Sequence, residues 1–127
     1  MGGGAYDVYR LACEFAKIDL GLATAMLAVA LGTDPIRVGC TATQQAKWLT
    51  RIAEEGLIVA YAVTEPEAGS DLAALRTTAR RSGDAYVVNG QKLWASGALH
   101  ADWCLLLART DPEAPKRAGI SYFLLDM

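Results

Sequence analysis

The feature that most constrains the fold of this chain is a change of pattern near residue 57. Before it, apolar residues recur at helical spacing; after it, short β-rich runs alternate with turn sequences. No helical segment separates the later runs, which favours local hairpins over a parallel sheet with crossover helices. The sequence therefore predicts an α+β fold, with a helical segment at residues 1–57 and an antiparallel, β-barrel-like domain at residues 58–127.

Three helices are predicted in the first part. Asp7 is placed to cap the first helix. The second covers residues 21–31, with Gly32 placed to end it and the Asp34-Pro35 pair acting as a break.

The third helix has the clearest ends. Thr41 and Gln44 have the spacing of a capping box, and Gly56 can terminate the helix. In the second part, Ser82-Gly83-Asp84 and Asn89-Gly90 predict turns, and the Asn-Gly pair is typical of a type I′ hairpin. The strand candidates are residues 57–63, 86–88, 91–94, 103–108 and 120–125.

Composition and charge exclude several classes of protein. Hydrophobic residues make up 53% of the chain, enough for a core, and a formal net charge of -2 without a basic patch argues against nucleic acid. The longest nearly uncharged stretch, residues 20–33, is shorter than the roughly 20 apolar residues of a membrane span. Three widely spaced cysteines and a single histidine provide neither a disulfide framework nor a zinc site. We therefore expect no nucleic acid, membrane or metal partner.

The loop at residues 64–71 is the first candidate site. It combines hydroxyl groups and carboxylates directly after an apolar strand. Gly69 would let backbone N–H groups approach a phosphate or a ring edge, and Thr64 and Ser70 could donate hydrogen bonds to the same ligand. The alternative is a solvated connector in which Ser70 caps the turn near Asp71.

The second candidate site is the segment at residues 94–97. Trp94 could pack on a flat aromatic ligand while Ser96 donates a hydrogen bond to it. The alternative is a core tryptophan followed by a turn. The remaining polar residues are weaker candidates. His100 as a catalytic or metal-binding group, Glu65 and Glu67 as an acid–base pair, and Arg76, Arg80 and Arg81 as phosphate contacts can each be considered, but a structural or exposed role is favoured for all of them.

Read in order, these segments resemble the acyl-CoA dehydrogenase family. The matching strings are YAVTEPEAGSD at residues 61–71 and NGQKLWAS at residues 89–96, and residues 101–111 and the end of the helical part also fit. The resemblance covers nearly the whole chain, and a TEPxAGSD string followed by NGxKxW is highly specific. It implies the end of a helical N-terminal domain and the first part of a middle β-domain.

The resemblance implies FAD as cofactor and an acyl-CoA thioester as substrate. It places Thr64 near the pyrimidine edge of the flavin, and Trp94 on the ring system with Ser96 near its reactive edge. It also places Ser70 near the FAD pyrophosphate and the pantetheine of the substrate. The cofactor-binding residues that it implies are Tyr61, Ala62, Val63, Thr64, Gly69, Ser70, Trp94, Ala95 and Ser96.

Two departures from the family pattern bear on activity. Ser96 stands where the family usually has threonine, and Ala95 stands where it has a larger residue. The family's catalytic glutamate, on a C-terminal helical bundle, has no counterpart before Met127. We therefore expect a fragment or truncated form that contains no catalytic residue of its own.

Two alternatives to an FAD-dependent dehydrogenase remain open. One is an oxygen-using relative, such as an acyl-CoA oxidase or a flavin monooxygenase. The other is a non-catalytic remnant or partner subunit. For the dehydrogenase, the resemblance implies an electron-transfer flavoprotein or similar acceptor and a homo-oligomer. We expect a cytoplasmic location, or the mitochondrial matrix in a eukaryote, because unpaired thiols are typical of reducing compartments.

Overall fold

The computed structural model describes residues 4–127, which form two compact units, one of the described residues through Val59 and one of Ala60–Met127. The assignment of residues 1–57 and 58–127 to two domains of the family stays a prediction. The helices are α1 (Ala5–Ala16), α2 (Leu20–Gly39) and α3 (Ala42–Glu55). The strands are β1 (Val59–Ala62), β2 (Thr78–Ser82), β3 (Ala85–Asn89), β4 (Trp103–Arg109) and β5 (Ile120–Asp126).

The ends of α3 confirm the sequence prediction, whereas the start of α1 corrects it. Thr41 Oγ1 accepts from the Gln44 N–H at 3.3 Å, and Gln44 Oε1 accepts from the Thr41 N–H at 2.9 Å. Gly56 follows α3 in the left-handed conformation, with φ of 68°. At α1, Gly4 is the N-terminal cap, and Asp7 lies within the first turn, where its carboxylate accepts from the Gly4 N–H at 2.9 Å.

The predicted end of the second helix is wrong, because α2 continues through Gly32 and Pro35 to Gly39. Gly32 is buried, and a Cβ there would lie only 3.2 Å from the side chain of Val59. Gly32 therefore allows close packing inside the helix and does not end it. Packing within this unit overrides the local preference of a glycine and a proline for a helix end.

The length of α2 also corrects the argument about membrane spans. Within the part of the chain that the structure describes, α2 is the one helix long and apolar enough to cross a membrane by length and composition, with 20 residues and mean hydropathy of 1.2. Core helices of soluble proteins meet the same two criteria. The expected absence of a membrane partner stays a prediction.

The five strands form one mixed sheet, which is not closed into a barrel. β1 and β2 both lie beside β4; β2 pairs with it in parallel through Thr78 and Arg109, and β3 extends the sheet beyond β2. The pairs β2–β3 and β4–β5 are antiparallel. The turn predicted between β2 and β3 is confirmed, with Gly83 at φ of 61° and Ser82 paired with Ala85.

The hairpin predicted at Asn89-Gly90 is wrong. Residues 91–94 form no strand, and Trp94 is the only non-glycine residue at positive φ in residues 4–127. Asn89 therefore does not adopt the conformation that a type I′ turn requires. The backbone of Gly90 packs closely on Thr77, where an added Cβ would lie 2.7 Å from the Thr77 Cα. The chain thus leaves the sheet here instead of turning back along it.

The core of the second unit lies on both faces of β4. On the first face, Cys104 and Leu106 pack against Ala60 and Ala62 of β1, and this cluster is partly covered by Ala95, Ala98, Ala101 and Phe123. On the second face, Leu107 packs against Ala68 and Leu75, and this cluster is partly covered by Val63, Leu72, Ala74 and Ile120. Successive side chains of β4 point to opposite faces of the sheet. The first face therefore packs near Ala62 and Ala95, and the second face packs near Val63.

Candidate functional site

The two candidate segments meet just after the end of β1. The Leu93 N–H donates a hydrogen bond of 2.8 Å to the Thr64 carbonyl oxygen. Two residues further on, Ala95 packs against the first-face cluster that contains Ala60 and Ala62. The loop at residues 64–71 and the segment at residues 94–97 are therefore neighbours, although residues 72–93 lie between them in the sequence.

Three hydroxyl groups at the candidate site have no protein partner. Within residues 4–127, the side chains of Thr64, Ser70 and Ser96 make no hydrogen bond. Thr64 is half-buried, whereas Ser70 and Ser96 are exposed. The capping role considered for Ser70 is absent, because the short helical turn after Asp71 has no side-chain cap. These hydroxyl groups are available to a ligand.

Trp94 is not a core residue, so that alternative is wrong. Its side chain is 85% exposed, and its backbone has φ of 58°. Positive φ in a bulky residue is an uncommon conformation that often accompanies a functional site. The Ser96 N–H donates to the Trp94 carbonyl at 3.0 Å, so the two residues share a tight turn. A flat apolar surface beside a hydroxyl donor fits an aromatic ring system.

A buried ion pair, which the sequence analysis missed, links the two segments. The Lys92 ammonium lies 2.8 Å from Glu65 Oε1 and donates a second hydrogen bond of 3.0 Å to the Val63 carbonyl. Glu65 also accepts from the backbone N–H groups of Arg76, at 2.6 Å, and Thr77, at 2.9 Å. The sequence signal for this pair is the lysine of the NGxKxW string.

The environment of Glu65 rules out the acid–base role considered for it. Burial opposes ionisation, but the hydrogen bonds from Lys92 and from the backbone N–H groups of Arg76 and Thr77 lower the pKa of Glu65 to about 2. A carboxylate that binds its proton so weakly is a poor general base near neutral pH. Glu65 is a structural anion, and Glu67 beside it is exposed.

Ser70 lines a cavity of about 390 Å³ on the second face of the sheet. Its walls combine apolar residues with polar and charged ones, among them Asp71 and Arg117. The lining residues are Ser70, Asp71, Leu72, Ala73, Leu107, Arg117, Ile120 and Tyr122. A cavity that combines apolar walls with a hydroxyl, a carboxylate and a guanidinium-bearing residue suits a ligand that has both an apolar and a polar part.

Tyr61 connects β1 to this cavity. Its hydroxyl lies 3.4 Å from the hydroxyl of Tyr122, which is one of the lining residues. Burial and the contact with Tyr122 raise the pKa of Tyr61 to about 12, so this phenol is neutral at physiological pH. Val63 packs in the second-face cluster and Ala62 in the first-face cluster. The predicted cofactor residues in β1 and directly after it thus divide between the two faces.

The remaining candidates lie outside these clusters. Gly69 is exposed, and a Cβ there would meet no atom within 4 Å, so its neighbourhood is open to a ligand. His100 is exposed in a short helical turn. Arg80 and Arg81 lie exposed on β2. Among the residues that the structure describes, no group of three or more His, Cys, Asp or Glu side chains could hold a metal ion.

Comparison with known proteins connects this geometry to one family. The family described as "Acyl-CoA dehydrogenase, middle domain" matches residues 60–127. Acyl-CoA dehydrogenase FadE29 of Mycobacterium tuberculosis is 52% identical over 83 residues, which are 65% of this chain. A probable medium-chain specific acyl-CoA dehydrogenase 2, mitochondrial, of Caenorhabditis briggsae is 36% identical over 108 residues, which are 84% of this chain.

A solved structure described as the FAD complex of PigA has the same fold in the aligned region. It superimposes with a TM-score of 0.73 and 33% sequence identity over 86% of this chain. The present chain spans only part of each of these proteins: 21% of the M. tuberculosis protein, 26% of the C. briggsae protein and 28% of the PigA chain.

Proposed function

The chain belongs to the acyl-CoA dehydrogenase family, and we propose that it forms one wall of an FAD site at which an acyl-CoA thioester is oxidised between its α- and β-carbons. The observation that carries this proposal is the hydrogen bond between the Leu93 N–H and the Thr64 carbonyl. It brings an unpartnered hydroxyl next to the segment that contains an exposed indole and a second unpartnered hydroxyl. These groups fit the edge and the face of a flavin ring.

In this proposal each group has a distinct role towards the cofactor. The Thr64 hydroxyl donates to the pyrimidine edge, Trp94 packs on the ring system, and Ser96 donates near the reactive edge. The residues around them shape the wall, and Gly69 keeps the approach to the loop open. The proposed cofactor-binding residues are Tyr61, Ala62, Val63, Thr64, Gly69, Ser70, Trp94, Ala95 and Ser96.

The chemistry that bound FAD supplies is acceptance of a hydride from the β-carbon of the thioester. Hydroxyl donors at Thr64 and Ser96 would stabilise negative charge on the bound cofactor, each by about 1.5–3 kcal/mol when the acceptor is charged. The α-proton must go to a base. Glu65 cannot serve, because it is buried, fully hydrogen-bonded and has a pKa of about 2. The resemblance puts the family's catalytic glutamate on a C-terminal helical bundle, and we propose that the base lies there, outside residues 4–127.

The cavity beside Ser70 supports the proposed substrate class. An acyl-CoA combines an apolar acyl chain with a polar, phosphate-bearing part, and the cavity combines apolar walls with Ser70, Arg117 and Asp71, whose carboxylate is paired with Lys116. We assign Ser70 to substrate as well as to cofactor. Reoxidation by an electron-transfer flavoprotein or similar acceptor, and a homo-oligomeric assembly, complete the proposal. Three free cysteines support a reducing location, the cytoplasm or the mitochondrial matrix in a eukaryote.

Titration of the 127-residue protein with FAD tests the proposal. Because the chain forms only one wall of the site, we expect saturable but weak binding, with a Kd above about 1 µM, seen as quenching of flavin fluorescence. A yellow protein that copurifies with one tightly held FAD would show that the site is complete within this chain. The absence of saturable binding up to about 1 mM would contradict the proposal and favour a non-catalytic partner subunit.

The oxygen-using alternative is tested on the same complex. Bound FAD is photoreduced without oxygen, an acyl-CoA is added, and the protein is mixed with air. A dehydrogenase-type site is expected to reoxidise slowly with acyl-CoA present. Fast reoxidation would instead favour an acyl-CoA oxidase or a flavin monooxygenase.

A further inference from the structure

Three consecutive residues, Val63 to Glu65, are held by Lys92 and Leu93, the two residues that directly precede the segment at residues 94–97. The Val63 carbonyl accepts from the Lys92 ammonium at 3.0 Å, and the Thr64 carbonyl accepts from the Leu93 N–H at 2.8 Å. The Glu65 carboxylate forms the ion pair with Lys92 at 2.8 Å. The backbone of Thr64 is therefore fixed on both sides by groups that directly precede Trp94 in the chain.

The pair is buried, which bears on what it is for. The Lys92 and Glu65 side chains are 9% and 5% exposed. A buried ion pair loses its hydration, so replacing both partners by uncharged side chains often costs little stability, whereas removing one partner leaves an uncompensated charge. A gain in the free energy of folding is thus a weak explanation for the presence of this ion pair. Geometric specificity is the better reason, because each partner accepts or donates at a defined backbone position.

We infer that Lys92 is a positioning residue, which acts through Glu65 and Val63 to hold the Thr64 hydroxyl in register with Trp94 and Ser96. The inference rests on the proposed function, since Thr64, Trp94 and Ser96 are the groups assigned to the flavin. Lys92 itself does not touch the cofactor in this inference. Its role is to set where the donors from two distant segments lie.

Amide hydrogen exchange measures this register directly, without a ligand. The key probe is the Leu93 N–H, which bonds to the Thr64 carbonyl, and the amides of the β4–β5 ladder are the internal reference. Three variants are compared with the parent: Lys92→Met, Glu65→Gln and the double variant Lys92→Met/Glu65→Gln. The control is Lys17→Met, because Lys17 forms a similarly short ion pair of 2.7 Å with Glu14 but is 68% exposed.

The double variant separates position from stability. It leaves no unpaired buried charge, so its unfolding free energy is expected to exceed that of Lys92→Met. The Leu93 amide is nevertheless expected to exchange about tenfold faster than in the parent, relative to the ladder amides. Lys17→Met should leave this ratio unchanged.

Two results would overturn the inference. One is an increase of less than about threefold in the exchange rate of the Leu93 amide, relative to the ladder amides, in the double variant. The other is an equal rise at every amide, which would show a purely structural role. If Lys92→Met does not fold, the double variant decides by the same criteria.

FAD titration gives the second reading. Where the parent binds FAD, the double variant should bind it about tenfold more weakly, with the Lys17→Met variant unchanged. An unchanged affinity alongside a loosened Leu93 amide would also overturn the inference. If the parent protein binds no FAD, the proposed function is wrong. The exchange data still decide whether Lys92 sets the register of the two segments.

Discussion

Lys92 and Glu65 form an ion pair of 2.8 Å although they lie 27 positions apart in the chain, and both side chains are at most 9% exposed. The pair joins the two segments that contain the unpartnered hydroxyl groups. It also commits the one buried carboxylate of the described residues to structure. Glu65 therefore has a structural role, whereas the unpartnered hydroxyl groups remain available to a ligand.

The first prediction concerns acid stability. The folded-state pKa of Glu65, about 2, lies below its ordinary value of 4.5. Its ionised form therefore contributes stability that is fully present above pH 4.5 and is lost as the pH falls towards 2, by about 3 kcal/mol in all. Urea unfolding between pH 7 and pH 2 should show this loss in the parent and a much flatter dependence in Glu65→Gln. Parallel curves for the two proteins would contradict it, and Glu14→Gln, which changes an exposed carboxylate, is the control.

Local signals were enough to predict the ends of some elements. The capping box at Thr41 and Gln44, the terminating Gly56 and the turn at Gly83 all depend on contacts within a few residues, and all are present. Apart from the strand predicted at residues 91–94, which does not form, the type and order of the main helices and strands likewise follow from hydrophobic periodicity. The family resemblance rests on two short sequence strings, which can be recognised without knowing the long-range contacts that their residues make.

Long-range contacts could not be read in the same way. In the sequence Gly90 is typical of a hairpin turn, but in the structure a glycine is needed there because the backbone packs closely on Thr77, 13 positions earlier. Gly32 resembles a helix end, but it accommodates Val59. Lys92 looks like a surface lysine until its partner is known. In each case the residue's role is set by a neighbour that only the folded chain supplies.

The second prediction compares two glycines of the same unit. Gly90→Ala places a Cβ 2.7 Å from the Thr77 Cα, so the backbone must shift, and we expect a loss of about 1–3 kcal/mol in unfolding free energy. Gly69→Ala meets no atom within 4 Å and should change stability by less than about 0.5 kcal/mol. Urea denaturation of both variants measures the difference. Equal destabilisation would show that the contact at Gly90 is relieved at little cost.

The third prediction concerns the unpartnered hydroxyl groups. Thr64→Val and Ser96→Ala remove no hydrogen bond to the described residues, so each should leave the melting temperature nearly unchanged. Each should weaken FAD binding about tenfold, because a hydroxyl that donates to the flavin is lost. Fluorescence titration and thermal melts of the same samples separate the two effects. Unchanged affinity with a lower melting temperature would assign these hydroxyl groups to the fold instead.

The fourth prediction concerns turnover. With FAD supplied, the 127-residue protein should oxidise acyl-CoA thioesters at far below about 1 per second. The physical reason is the state of Glu65, whose carboxylate is buried, hydrogen-bonded and ionised, and therefore cannot accept the α-proton. The assay follows reduction of an artificial electron acceptor with short-, medium- and long-chain acyl-CoA. A rate typical of enzymes would reveal a base that this structure does not identify.

The last prediction concerns association in solution. Several large apolar side chains of the helical unit are exposed, among them Leu20 at 71%, Leu31 at 55% and Val38 at 87%, and β5 has one strand neighbour among the described strands. Contiguous apolar surface and unpaired strand edges favour association. We expect the protein to be oligomeric or aggregated at low micromolar concentration in sedimentation velocity. The double variant Leu20→Glu/Val38→Lys, which keeps the net charge, should lower the sedimentation coefficient, whereas Thr50→Glu on α3 should not. A compact monomeric parent with one sharp cooperative melt would show that these apolar surfaces do not drive association.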